Sequence, residues 1–159
     1  MLGKKSRKTD GSQFEIQQWT VLNQRLEINH STTPSLKKIC KNAILVPVPL
    51  HSTKQRERGF NQSDALAQVL KKTLNTNIQI QNSLIRTRFT QTQTSLTKEQ
   101  RKENIRGAFA LSPNIKLDLD KKYILVDDVF TTGYTANACA KILKKAGIQT
   151  IELLTLAHG

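Results

Sequence analysis

The sequence predicts an α/β domain, a mostly parallel central sheet with flanking helices. Three observations carry this prediction. Tyr123 to Val126 is a short apolar run suited to a buried strand, and Tyr134 to Ala146 has the spacing of an amphipathic helix stopped by Gly147. "IQTIELLTLA", residues 148 to 157, then supplies another strand. Strand, helix and strand joined by short links form a βαβ unit, which implies a parallel sheet.

A chain of 159 residues is the size of one domain. Folding at that size buries roughly 68–70% of the unfolded chain's surface, so no disulfide or metal staple is required. The aromatic fraction of 5% is low for a base-stacking RNA platform, which displays aromatic rings on a sheet.

From the N-terminus, residues 1–42 read as a basic, partly disordered segment, and residues 43–159 as the domain. The first twelve residues hold Lys4, Lys5, Arg7 and Lys8 with almost nothing apolar. No apolar stretch of the kind found in a secretory leader follows them. Phe14, Ile16, Trp19, Val21 and Leu22 are candidates to pack on a core, and Ser35 to Lys41 is a candidate short helix after Pro34. "AILVPVPL" (43–50) is a β-rich run whose prolines suit the end of a strand. "HSTKQRERGF" (51–60) is a polar, basic loop closing on Gly59. Asn61 to Leu74 reads as a helix with Leu66, Val69, Leu70 and Thr73 on one face. "SLIRTR" (83–88) and "GAFAL" (107–111) are short candidate strands. Between them, residues 89–104 form a long polar stretch, a length that in a compact domain is usually functional.

The longest apolar runs, such as Ala43 to Leu50, are too short to span a bilayer, and the chain is read as cytoplasmic. Cys40 and Cys139 are far apart and, with His30, His51 and His158, give no zinc-ligand spacing. Cys139 shares a helical face with Ile142, Leu143 and Ala146, which makes it a small buried hydrophobe. With 25 Lys+Arg against 12 Asp+Glu, a formal net charge of +13, the expected partner is anionic, either a polymer or a small phosphate.

Against that balance, "YILVDDVFTTGYT" (123–135) places two acids side by side where a strand should end. In open parallel sheets ligands bind beyond the carboxyl ends of the strands. The start of the following helix, with unpaired N–H groups and a partial positive charge, is a seat for a phosphate. Gly133 allows close approach of the backbone, and Thr131, Thr132 and Thr135 add hydroxyl donors. Asp127 and Asp128 cannot bind the phosphate, so they are expected to face hydroxyl groups, such as a ribose diol, or Mg²⁺. Each piece alone is ordinary, since Asp is common at strand ends and Thr is a common helix N-cap. The whole string in order points to a sugar phosphate. No GxxxxGK[ST] or GxGxxG stretch is present.

The same string resembles the 5-phosphoribosyl-1-pyrophosphate (PRPP) signature of type I phosphoribosyltransferases. Together with "VPVPLHSTKQRERGFNQSDALA", "LIRTRFTQTQTSLTKEQRKENIRGAF" and "AGIQTIELLTLAHG", it resembles the ComF family, the competence-protein F group of amidophosphoribosyltransferase-like proteins linked to DNA uptake. The resemblance covers residues 43–158. It implies the type I phosphoribosyltransferase fold, with Asp127 and Asp128 on the ribose hydroxyls. Val129, Thr131, Thr132, Gly133 and Thr135 would then hold the 5′-phosphate.

It also implies that the loop 51–59 contacts pyrophosphate and that the stretch 88–104 closes over PRPP. Arg56 and Arg58 are the expected clamp, because a guanidinium fork matches phosphate oxygens. Lys54, Arg88, Arg101 and Arg106 are further candidates for the pyrophosphate and the flexible loop, and "RGFNQ" stands intact as Arg58 to Gln62. Asn61 and Gln62 are expected to fix the loop and cap the next helix. Mg²⁺ is expected with PRPP, held through substrate oxygens rather than by protein side chains alone. Catalysis on this reading is electrostatic stabilisation and exclusion of water, assigned to Asp127, Asp128, Arg56 and Arg58.

Members of that family usually begin with a four-cysteine zinc ribbon, and residues 1–42 contain none. Two functions therefore stand beside each other. One is Mg²⁺-dependent binding of PRPP, with transfer of phosphoribosyl to an acceptor. The other is a non-catalytic module that binds single-stranded DNA or a helicase partner.

Overall fold

The computed structural model describes residues 18–21, 33–50, 59–74, 77–88, 105 and 107–158. Its centre is the apolar run expected at Tyr123, which becomes β6 (Lys122–Phe130). β2 (Ala43–Pro47) pairs with one side of β6, from Ala43 opposite Lys122 to Pro47 opposite Val126. β7 (Ile151–His158) pairs with the other, from Tyr123 opposite Ile151 to Phe130 opposite His158. With β1 (Gln18–Val21) and the two-residue β3 (Gln79–Ile80) on the outside, the order is β1-β7-β6-β2-β3 and every pair is parallel. β4 (Leu84–Arg86) and β5 (Phe109–Leu111) form a separate antiparallel pair.

Parallel strands covered on both faces must be apolar on both, and these are. Tyr123 and Leu125 of β6 point into one core with Ile44, Val46 and Leu153. Ile124 and Val126 point into the other with Leu45 and Leu154. The first core is covered by α3 (Tyr134–Lys145), through Ala136, Cys139, Ala140 and Leu143, and by Leu84 and Phe109 of the antiparallel pair. The second is covered by α1 (Thr33–Cys40), through Leu36 and Cys40, and by α2 (Gln62–Leu74). The phenol of Tyr123, wholly buried, accepts a hydrogen bond from the backbone N–H of Asp118 (3.0 Å). α3 ends as expected, with Gly147 in the left-handed region (φ 101°) and its N–H donated to the carbonyl of Lys144 (3.0 Å).

Within residues 1–42, β1 joins the sheet and Leu36 and Cys40 of α1 lie in the core. Two sequence expectations need correction. The inner face of α2 is Ser63, Leu66, Ala67, Leu70 and Leu74, while Val69 is 52% exposed and Thr73 is exposed. Small Ala67 lets the helix sit close to the sheet, which turns Val69 outward. β6 also continues through Asp127 to Phe130, because β7 keeps pairing with it there. Residues 1–17, 51–58 and 89–104 lie outside the described residues, as do the tail, the basic loop and most of the polar stretch expected there. Among the described residues no helix is long and apolar enough to cross a membrane.

The face of α2 can be tested directly. Leu70→Ala removes a fully buried side chain and is expected to cost about 2–5 kcal/mol in urea unfolding. Val69→Ala is expected to cost under about 0.5 kcal/mol, as for ordinary surface positions.

Candidate functional site

β2 stops pairing with β6 at the hydrogen bond from Val48 N to the Val126 carbonyl (2.9 Å). Asp127 is the next residue of β6, so the acid pair lies beyond the carboxyl end of β2 while β7 still supports its other side. This is the strand-end position expected from the sequence, reached on one side of the strand only. Both carboxylates are partly buried.

Their hydrogen bonds fix them in place. Asp127 Oδ1 accepts from the backbone N–H of Asp128 (3.0 Å) and from the hydroxyl of Ser63 (3.2 Å). Asp128 Oδ1 accepts from the backbone N–H of Val129 (2.8 Å). Burial, and then the adjacent Asp128 charge, push Asp127 from its ordinary 3.8 up to about 7. The Val129 N–H, one of the donors expected for a phosphate, is thus directed to Asp128 in this structure.

The turn into α3 is built around Gly133. It is the N-cap residue in the left-handed region (φ 76°, ψ −2°), and its carbonyl accepts the first helical bond from Asn137 N (2.8 Å). A Cβ here would sit 2.9 Å from two ring carbons of Phe130. Glycine is therefore required twice over, by the backbone angle and by the ring. No side chain among the described residues caps this helix start. The ordinary alternative, Thr as an N-cap, is not what the turn contains, and the helix N-terminus stands without a capping oxygen from those residues. Thr131 is exposed, and Thr132 and Thr135 are partly buried around that turn.

α2 reaches the acids from the other side. Asn61 caps it, accepting from Ser63 N (3.2 Å) through Oδ1, and donates from Nδ2 to the carbonyl of Val48 (3.1 Å). Asn61 thereby caps α2, as the sequence suggested, and ties its start to the end of β2. Ser63, 4% exposed, then meets Asp127.

Two residues of this site were missed in the sequence. Ser63 was one; its signal was its place at the second helical position after an Asn cap. Arg86 was the other, its guanidinium 5.2 Å from the centroid of the Phe109 ring. Burial lowers its pKa, and the nearby charge of Asp127 acts the other way. The readable signal was the alternation in "LIR": Leu84 is buried and Ile85 is 36% exposed, so Arg86 returns to the inner face. Arg88, which was expected in the site, lies past the end of β4 and is exposed. Lys54, Arg56, Arg58, Arg101 and Arg106 lie outside the described residues. Among the described residues no three His, Cys, Asp or Glu gather as a metal-binding group.

A parallel α/β sheet with two acids and, among the described residues, an uncapped helix start at one carboxyl edge is the arrangement implied by the motif resemblance to type I phosphoribosyltransferases. The chain is similar to proteins named for competence and for DNA utilization. It is 37% identical over 115 residues to competence protein F of Haemophilus influenzae, covering 72% of this chain and 50% of that protein. It is 36% identical over 114 residues to the DNA utilization protein YhgH of Escherichia coli K12, covering 72% and 48%. With competence protein ComFC of Bacillus subtilis it shares 29% over 120 residues, covering 75% and 46%. The chain thus spans about half the length of these curated relatives. No family model matches it. Among solved structures it is similar to a purine phosphoribosyltransferase from Pyrococcus horikoshii, with a TM-score of 0.49 and 18% identity over 80% of this chain and 68% of that one.

Two outcomes are expected at this site. Gly133→Ala places a Cβ against Phe130 at a positive φ and should cost at least about 1–2 kcal/mol in chemical denaturation. Asp127 is raised in the folded state, so that state binds the extra proton between about pH 4 and 7. Its contribution to stability is present at the acid end of that window and is lost as pH rises through it. Asp127→Asn should remove this slope and leave the variant more stable than the wild type at pH 8, measured by urea unfolding across pH.

Proposed function

We propose that the chain binds PRPP with Mg²⁺ at the carboxyl edge of β6. On this reading Asp127 and Asp128 accept hydrogen bonds from the ribose hydroxyls, and the turn Thr131 to Thr135 holds the 5′-phosphate. The observation that carries the reading is the pairing of a hydrogen-bonded acid pair with a glycine-built, uncapped helix start a few residues later. A diol donates to carboxylates, and an open helix N-terminus attracts a phosphate, so the two halves of one ligand have complementary seats.

Arg86 adds a cation beside Asp127 and supports an anionic group, the pyrophosphate, on the side of the antiparallel pair. Arg56 and Arg58 are proposed to close on the same group from the loop. Mg²⁺, when bound, neutralises the pyrophosphate as its bond to C1 breaks. It would be held by ligand oxygens near the carboxylate pair, a hard-oxygen environment that suits it. The protein side chains orient the ribose, fix the phosphate and shield the reacting carbon from water. Transfer to an acceptor is part of the proposal, with the acceptor unnamed.

The ComF-type relatives carry names that refer to competence and to the use of DNA, and the chain is proposed to act in the same setting. A second reading, a module that binds single-stranded DNA or a helicase partner, is favoured by a separate observation, the placement of the lysines. The two readings use different surfaces, and the second, a non-catalytic module, is the alternative to transfer.

Calorimetric titration tests the first reading. Wild-type chain with Mg²⁺ should release or absorb heat on addition of PRPP. The double variant Asp127→Asn, Asp128→Asn loses two charge-assisted bonds of about 1.5 kcal/mol or more each, so affinity should fall at least about a hundredfold. No binding heat from the wild type would overturn the proposal.

A further inference from the structure

All strands of the main sheet run parallel, so their amino ends share one edge, opposite the acid pair. Each helix that returns to that edge ends in lysines. α1 brings Lys37 and Lys38 to the start of β2, with Lys41 in the turn that follows. α2 brings Lys71 and Lys72 toward β3, and α3 brings Lys144 and Lys145 toward β7. Lys121 and Lys122 open β6 between them.

The helical lysines divide between the two faces, with Lys144 and Lys145 on the side covered by α3 and the lysines of α1 and α2 on the other. Lys37, Lys38, Lys41, Lys71 and Lys72 are exposed, on the side covered by α1 and α2. The acids at this edge are few. Glu152 is engaged by Lys122 at 3.3 Å, and Asp118 and Asp120 lie exposed in the connection before β6.

Lysine in the last turn of a helix is ordinary by itself, since it complements the helix dipole. Dipole complementation does not account for Lys41, which stands outside the helices, whereas Lys121 and Lys144 are engaged locally, by Asn42 Oδ1 (2.9 Å) and by the Gln149 carbonyl. Nor does the candidate site use these charges, because it lies at the other edge. We propose that the exposed lysines at this edge on the α1 and α2 side, Lys37, Lys38, Lys41, Lys71 and Lys72, seat the phosphate backbone of a single-stranded nucleic acid, without sequence preference. The inference rests on the nucleic-acid reading stated above and adds its location. A flexible strand suits these lysines better than a small anion, because the positive charge is spread over two helix ends and not gathered in a cradle.

The test is fluorescence anisotropy with the full chain and a labelled thymine oligonucleotide of about 16 nucleotides. At about 50 mM salt the wild type should bind, and affinity should fall steeply as salt rises. Replacing Lys37, Lys38, Lys71 and Lys72 together by Gln changes exposed side chains only, and thermal unfolding should confirm an intact fold. That variant should bind at least tenfold more weakly, with a salt slope lower by about 3, near 0.7 for each lost cation on a single strand. Asp127→Asn with Asp128→Asn should leave oligonucleotide binding in place. A quadruple variant that binds like the wild type would overturn the location while leaving the nucleic-acid reading intact. No binding by the wild type would overturn both. Equal binding of polyglutamate, dependent on the same lysines, would overturn the assignment to nucleic acid in favour of an acidic protein partner.

Discussion

The hydrogen bond from Val48 N to the carbonyl of Val126 joins β2 to β6 at the last register where the two strands meet. The next rung would run from Asp128 N to the Val48 carbonyl, but that N–H is directed to Asp127 Oδ1 and the carbonyl accepts from Asn61 Nδ2 instead. β2 therefore leaves β6, and the space beside Asp127 opens to the start of α2. β7 does not leave, so β6 stays paired on that side past the acids, as far as Phe130. The site is an unpaired flank on a supported strand. Asn61 then fastens α2 to the same Val48, through its carbonyl, so the segment that ends the sheet also aims Ser63 at Asp127.

Much of this was legible because the central strand is buried on both faces. A run of apolar residues without alternation, as in Tyr123 to Val126, fits little besides a strand inside a parallel sheet when a helix and a second such run follow. The glycine stop at Gly147 was legible for a similar reason, since few residues other than glycine take a φ of 101° cheaply. The face of α2 was not. Leu66, Val69 and Leu70 all satisfy helical spacing, and the choice between Val69 and Ala67 depends on how closely the helix approaches the sheet, a tertiary quantity. β1 was hidden for another reason. A four-residue edge strand is specified by its partner, Glu152 to Thr155 of β7, more than by its own residues. At the site, the acids and Gly133 announced themselves by chemistry. Arg86 and Ser63 did not, because each becomes part of the site only when the antiparallel pair or α2 is folded onto β6.

The sheet also keeps its charges apart. Its parallel topology sends every strand's carboxyl end one way and every returning helix's carboxyl end the other. Among the described residues, the acid pair sits toward the carboxyl end of β6 and lysines sit where the helices end. An overall charge of +13 is thus compatible with a pair of carboxylates at the edge opposite these lysines. Asp127, raised to about 7, shows that the local field near it is set by Asp128 and burial rather than by the net charge of the molecule.

The two cysteines extend the use of this layering. Cys40 lies in the core beneath α1 and Cys139 in the core beneath α3, one on each side of the sheet, and burial raises both thiols above their ordinary values. Neither is reactive while its layer is closed. A thiol reagent applied to the native protein therefore reports openings of the layers separately, the first cysteine for the α1 layer and the second for the α3 layer. The chain carries an internal gauge of local unfolding on each face, with no label or substitution added.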